Sequence, residues 1–126
     1  MGHKILVVDD SSTIRKQISV YLKRADFSVI EAFTGEDGLN KLKANPDVSL
    51  IVTDVKMPNM GGFEMVEALR EIPEFQKIPV VMLTTEGGKD EIQKGKALGV
   101  LAWHVKPFSE KLIDNIKHIL GVVPTT

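Results

Sequence analysis

Five short apolar runs, at residues 5–8, 29–32, 50–52, 80–83 and 101–105, are separated by longer stretches with helical periodicity. Nothing else in the chain constrains its fold as strongly. Strands that read as near-continuous apolar runs are buried on both faces, and strands that alternate with helices are joined by crossovers that make them parallel. The pattern predicts a doubly wound α/β fold, with a five-stranded parallel sheet sandwiched between two layers of helices.

The helices can be placed from caps and apolar spacing. The first is expected from Ser11 or Ser12, with Ile14, Ile18, Tyr21 and Leu22 as its buried stripe. Thr34 followed by Asp37 marks the start of the second, which turns Leu39 and Leu42 inward. The third follows Gly61 and Gly62, carries Phe63, Val66 and Leu69 on one face, and should stop before Pro73. A fourth, at about residues 89–98, is poor in apolar residues and contains Gly95, so its packing should be the weakest and its face the most available. The fifth begins at Ser109 and points Leu112, Ile113, Ile116 and Leu120 inward.

Composition excludes several classes of function. Lys and Arg number 16 against 17 Asp and Glu, for a formal net charge of -1, so no basic field draws in nucleic acid or anionic lipid. With no Cys there is no disulfide framework. No apolar run approaches the ~20 residues of a membrane span, and Lys4 leads directly into an apolar run that ends in Asp9 and Asp10, unlike a signal peptide. A cytoplasmic location without membrane insertion is expected. No repeat or interdomain linker is visible, and a short Val-Val-Pro-Thr-Thr tail closes the chain. The expectation is one domain over residues 1–126, with no output domain.

In open α/β sheets the ligand site lies beyond the carboxyl ends of the strands. The first run ends in Asp9 and Asp10, the third in Asp54, the fourth in Thr84 and the fifth in Lys106. Carboxylates ~4 Å apart repel by roughly 4 kcal/mol per pair at an effective dielectric constant of about 20. Such a cluster calls for a cation, and an oxygen-only donor set suits Mg²⁺, with Mn²⁺ able to take its place. Phosphoryl transfer then fits the set: a carboxylate as nucleophile, the metal and Lys106 to neutralise developing charge, and the Thr84 hydroxyl to bond a phosphoryl oxygen. Taken singly, each residue has a plainer reading. Asp10 and Asp54 could be cap or turn residues, Thr84 a turn hydroxyl and Lys106 a solvated amine; their coincidence at four strand ends favours the site.

The segments Ile5-Leu6-Val7-Val8-Asp9-Asp10-Ser11, Val52-Thr53-Asp54-Val55-Lys56-Met57-Pro58-Asn59-Met60-Gly61-Gly62, Val81-Met82-Leu83-Thr84-Thr85 and Val105-Lys106-Pro107-Phe108 closely resemble the response-regulator receiver family. The resemblance covers essentially the whole chain. It implies a (βα)5 flavodoxin-like fold and Asp54 as phosphoacceptor. Asp9 and Asp10 would serve Mg²⁺ together with Asp54 and the Lys56 backbone carbonyl, Thr84 and Lys106 would contact the phosphoryl group, and the Lys106–Pro107 bond would be cis. The chain looks like the CheY-type single-domain regulators of chemotaxis, particularly at Thr84-Thr85-Glu86 and residues 97–108. Where the family carries Tyr or Phe as its aromatic switch, this chain has Trp103, which either takes that role or simply covers the fifth strand. The acid common after the Met-Pro motif is Gly61 here.

The same resemblance implies a sensor histidine kinase as phosphodonor and a protein target such as a flagellar motor switch. The target would bind the face of helix four, strand five and helix five, and a phosphatase is a further expected partner. Such a chain is a signalling switch that catalyses only its own phosphorylation and dephosphorylation. The resemblance also implies that Lys56 and Glu86 stand on opposite rims of the site; an ion pair between them would slow hydrolysis, whereas two solvated side chains would not. A phosphate sink or phosphorelay intermediate without its own effector is also compatible with these residues. A haloacid-dehalogenase-type phosphatase needs a second Asp two places after its nucleophile, where Ser11 and Lys56 stand here. His104 and His118 have no partner ligand nearby in sequence and are given no metal role.

Overall fold

The computed structural model describes residues 2–122; the rest of the tail expected after Leu120 lies outside the described residues. The elements run β1 (Lys4–Val8), α1 (Ser12–Arg24), β2 (Ser28–Ala32), α2 (Gly35–Ala44), β3 (Leu50–Thr53), α3 (Gly62–Arg70), a 3-10 turn (Pro73–Phe75), β4 (Val80–Thr84), α4 (Lys89–Ala97), β5 (Ala102–Val105) and α5 (Glu110–Leu120). The strands form one parallel sheet in the order β2-β1-β3-β4-β5. The chain first winds outward through β2 and then reverses through β3. The switch point therefore lies between β1 and β3, the position at which open α/β sheets leave a crevice at their carboxyl edge.

Alternation along the strands divides the core in two. Leu6, Val8, Ile51, Val80 and Met82 face Leu42, Phe63, Met65, Val66 and Leu69 of α2 and α3. Ile5, Val7, Leu50, Val52, Val81 and Leu83 face Ile18 and Leu22 of α1 and Leu112, Ile113 and Ile116 of α5. Because both faces are covered, every residue of β3 and β4 is buried, which is why the strands read as unbroken apolar runs.

The helix starts follow their caps. Ser11 accepts from the Ile14 N–H, Thr34 from the Asp37 N–H and Ser109 from the Lys111 N–H. The Asp37 carboxylate accepts from the N–H of Phe33, one residue before the cap, so the expected box closes one position early. Three of the residues expected inside are elsewhere, Val105 at the end of β5 among them at 51% exposed. Tyr21 is 39% exposed because Ile14, Ile18 and Leu22, spaced four apart, already complete the stripe; its ring stacks edge-on against Phe108 at 5.2 Å instead. Leu101 precedes β5 and is 59% exposed. Leu39 and Leu120 are half-buried at the margins of the two cores.

Helix α4 is tethered unequally. At its C-terminal end Arg70 donates from Nε to the Leu98 carbonyl and from Nη1 to those of Ile78 and Gln76, joining α4 to the α3–β4 connection. At its N-terminal end Gly88 supplies no side-chain cap. Helix α4 is as weakly packed as expected, with Gly95 under the indole of Trp103: a Cβ at residue 95 would come within 2.9 Å of the ring. The glycine is the helix's one buried residue, and it admits the aromatic ring.

Candidate functional site

Three strand ends deliver their side chains to one crevice, and β4 ends in the sheet between two of them. Asp9 follows β1 and is held from both sides: its N–H donates to the Ala32 carbonyl, and its Oδ1 accepts from the Ser11 N–H at 2.9 Å. Asp54 follows β3, and its Oδ1 accepts from the Val55 N–H at 2.7 Å. Its carbonyl accepts from the Thr53 hydroxyl at 2.9 Å, and Gly62 at the start of α3 lies directly against the same carbonyl. Thr84, which ends β4, is fully buried, and its Oγ1 accepts from the Glu86 N–H at 3.2 Å. Lys106 follows β5 and precedes a cis bond to Pro107.

The decisive geometry is at the Lys106 ammonium. Its Nζ lies 2.8 Å from Asp9 Oδ2 and 2.8 Å from Asp54 Oδ2, tying the ends of β1, β3 and β5 together. Oxygens of Asp9, Asp10 and Asp54 lie within 4.8 Å of one another. Three carboxylates thus gather at one place, and one ammonium pairs with two of them. Burial pushes the Asp9 carboxyl above its ordinary pKa, with the Asp54 charge adding to the rise and the bonds from Lys106 and Ser11 opposing it. Burial alone would pull the Lys106 ammonium down, but its hydrogen bonds to Asp54 and Asp9 outweigh it and leave the pKa raised. Lys106 therefore stays charged at neutral pH.

The donor set fits a hard divalent cation. It contains oxygen and no sulfur or imidazole; Asp10 is exposed at the mouth, and its carboxylate accepts no hydrogen bond from the described residues. The Lys56 carbonyl, expected as a further ligand, likewise accepts none among the described residues. The positions two after the acids supply no second carboxylate of the phosphatase type. Ser11 spends its hydroxyl on the helix cap, and the Lys56 side chain pairs with Glu86.

Glu86 connects the site to its surroundings through three separate groups. Its N–H bonds Thr84, its carbonyl accepts from Trp103 Nε1 at 2.7 Å, and its Oε1 lies 2.7 Å from Lys56 Nζ. The ion pair raises the Lys56 pKa, chiefly through the hydrogen bond. Trp103 is half-buried, with its ring 6.1 Å from that of Phe63, so it also does the covering expected of a large residue on β5. His104 pairs with Asn115 of α5, and His118 is exposed; neither joins a metal-binding group among the described residues.

Several residues of the site gave no signal of their own in the sequence. The Val55 and Ser11 N–H groups act through the backbone, which carries no side-chain signature. Arg15, five residues after Asp10, donates from Nη1 to the Asp9 carbonyl at 2.6 Å and from Nε to Glu31 at 3.1 Å. Its place, one helical turn into α1, was the available clue.

Residues 5–117 match the response regulator receiver domain family. The chain is 41% identical over 120 residues to the chemotaxis protein CheY1 of Helicobacter pylori, covering 94% of this chain and 97% of that one. It is 34% identical over 125 residues to the protein PilG of Pseudomonas aeruginosa, covering 98% and 92%. Among solved structures, the chemotaxis protein CheY4 of Vibrio cholerae superposes with a TM-score of 0.89 at 38% identity, covering 94% of this chain and 99% of that one. The BeF3-activated DrrB receiver domain gives 0.83 at 32% identity, covering 96% and 99%.

Proposed function

Because the chain belongs to the response regulator receiver domain family and is a phosphoacceptor of the CheY type, we propose that it takes a phosphoryl group from a histidine kinase onto Asp54 and so switches the surface of α4, β5 and α5. The observation that carries this reading is the Lys106 ammonium, shared at 2.8 Å between Asp54 and Asp9 beside the exposed Asp10. A bridging cation at the foot of a nucleophilic carboxylate is already placed to meet the charge that a phosphoryl group brings.

Asp54 attacks phosphorus. One bond forms to its carboxylate oxygen as the bond to the imidazole or small-molecule leaving group breaks, giving an acyl phosphate. The Val55 N–H holds Asp54 Oδ1 and fixes the direction of attack. Lys106 gives up its two carboxylates for a phosphoryl oxygen. Thr84 accepts from Glu86 and retains its own proton to donate to another. Asp9, Asp10, Asp54 and the Lys56 carbonyl would hold Mg²⁺, which when bound supplies neutralising charge to the phosphoryl oxygens. The chemistry ends with hydrolysis of this acyl phosphate, so the chain acts as a switch and turns over no external substrate.

The phosphoryl signal leaves through Glu86. A Thr84 hydroxyl drawn toward phosphate disturbs the Glu86 N–H, and the carbonyl on the other side of the same residue holds the Trp103 indole, which covers Gly95 of α4. With α4 anchored by Arg70 at one end and without a side-chain cap at the other, the N-terminal half yields more readily. Phosphorylation then shifts the population between two arrangements of this face. Val105 and Leu101, both more than half exposed on it, are apolar contacts for a target, which for a CheY relative would be a flagellar motor switch. Among the described residues no helix is long and apolar enough to cross a membrane, in keeping with a diffusible cytoplasmic switch.

The test is intact mass after incubation with acetyl phosphate. A gain of one phosphoryl group that requires Mg²⁺, is reversed by hydroxylamine and maps to Asp54 is expected. No gain, where another receiver is labelled in parallel, overturns the reading. The Lys56–Glu86 pair is expected to act as a partial cover over the site. Lys56→Ala and Glu86→Ala should each shorten the phosphoryl lifetime, by about two- to five-fold because exposed pairs are weak; autodephosphorylation rates check this, and unchanged rates in both would remove the cover from the account.

A further inference from the structure

We propose that Arg15, braced by Glu31 and Ser19, is a positioning residue that sets the direction of Asp10 and thereby the affinity of the acidic cluster for its divalent cation. The inference rests on the metal-binding role given to that cluster above.

Asp10 completes the cluster yet has nothing of its own to hold it. It is exposed, and its carboxylate accepts no hydrogen bond from the described residues. Its place depends on the two peptides that flank it: the one to Ser11 is held by the Ser11 N–H bond to Asp9 Oδ1, and the other joins it to Asp9. The oxygen of that peptide is the Asp9 carbonyl, which accepts from Arg15 Nη1 at 2.6 Å. The Asp9 N–H, on the other side of the same Cα, is fixed to the Ala32 carbonyl. Arg15 thus restrains the chain as it enters Asp10.

The guanidinium is itself built in. Its Nε donates to Glu31 Oε1 at 3.1 Å, and the second oxygen of Glu31 lies 3.3 Å from the Ser19 hydroxyl, a buried group on the next turn of α1. The backbone at Glu31 is pinned in turn, since Glu31 pairs with Val7 in the sheet and its carbonyl accepts from Lys41 Nζ at 2.9 Å. A planar guanidinium with one edge on a carboxylate and the other on a carbonyl has little freedom to turn. The chain Ser19, Glu31, Arg15, Asp9 carbonyl runs from buried core to metal ligand, and the phosphoryl chemistry uses none of its side chains directly.

Charge and position make opposite predictions here. Arg15 is a cation beside a cation site, so removing its charge would by electrostatics alone tighten Mg²⁺ binding. If its role is to aim Asp10, removal weakens binding. Outer groups that orient metal ligands typically carry 10–100-fold in affinity.

The experiment is a calorimetric titration of the full chain with Mg²⁺, with thermal unfolding of each metal-free variant followed in parallel. Arg15→Ala is expected to bind Mg²⁺ about ten-fold more weakly, with Arg15→Lys in between. Glu31→Ala should weaken binding comparably, and the double variant no further than Arg15→Ala. Ser19→Ala, which breaks only the outermost bond, should cost about two- to three-fold and keeps the test alive if Arg15→Ala does not fold. Mg²⁺ affinity that is unchanged or tighter in Arg15→Ala, with only the unfolding temperature lowered, overturns the proposal and leaves Arg15 a structural staple. A wild-type chain that binds no Mg²⁺ overturns the receiver chemistry along with it.

Discussion

Asp54→Asn is expected to remain folded and to accept no phosphoryl group from acetyl phosphate in the presence of Mg²⁺, a loss of at least roughly 10³-fold in rate. The amide oxygen can still accept from the Val55 N–H, so the local turn survives. What disappears is the charged oxygen that attacks phosphorus, and no neighbouring group substitutes for it. Asp9 has both oxygens occupied, by Ser11 and Lys106, and Asp10 lies at the exposed mouth. Metal-free stability should change little. One partner of Lys106 is lost, but so is the repulsion of Asp54 for two other carboxylates within 4.8 Å. Intact mass and thermal unfolding check both halves. A variant labelled to the wild-type extent would place the phosphoryl group elsewhere and remove Asp54 from the mechanism.

Gly62→Ala is expected to destabilise the protein by about 3 kcal/mol or more, lowering Tm by roughly 10 °C, and to slow phosphorylation in the molecules that fold. Gly62 opens α3, and its N–H donates to the Val55 carbonyl at 2.8 Å. A Cβ at residue 62 would come 2.1 Å from the Asp54 carbonyl oxygen. That neighbour is backbone at the end of a buried strand and cannot swing aside as the end of a side chain would. Relief requires α3 to lift or the Asp54 peptide to shift, and either moves the nucleophile relative to Lys106. A misplacement of about 1 Å at a reacting group can cost 10²-fold. Gly88→Ala is the control: a Cβ there has open space, so only a cap preference of under about 1 kcal/mol is at stake. Thermal unfolding and the rate of labelling by acetyl phosphate separate the two effects.

Much of the fold was legible because the sheet is covered on both faces. Burial on two sides makes each strand an unbroken apolar run, and the helices between them show their own period through Ile14, Ile18 and Leu22 or Leu112, Ile113 and Ile116. The chemistry was legible for a related reason. A parallel sheet gathers its carboxyl ends at one edge, so a polar residue after each run must lie near the others, as Asp9, Asp54 and Lys106 do. Tyr21 was misread, and the partner of Gly95 missed, because periodicity and propensity are local quantities. What Tyr21 touches is Phe108, and what Gly95 admits is Trp103, each contributed by a distant stretch of chain.

The sequence by itself determined the alternation of strands and helices, the strand ends at which acids, hydroxyl and amine stand, and the receiver family those motifs resemble. Tertiary structure alone decided how they meet: one ammonium shared by two carboxylates, Glu86 joining Thr84, Trp103 and Lys56, and Arg15 reaching back to the carbonyl of Asp9. The physical reason is range. Burial and helical period are written into neighbouring residues, whereas a hydrogen bond or ion pair depends on a separation of about 3 Å, held to a few tenths of an ångström, between groups that only the completed packing brings together.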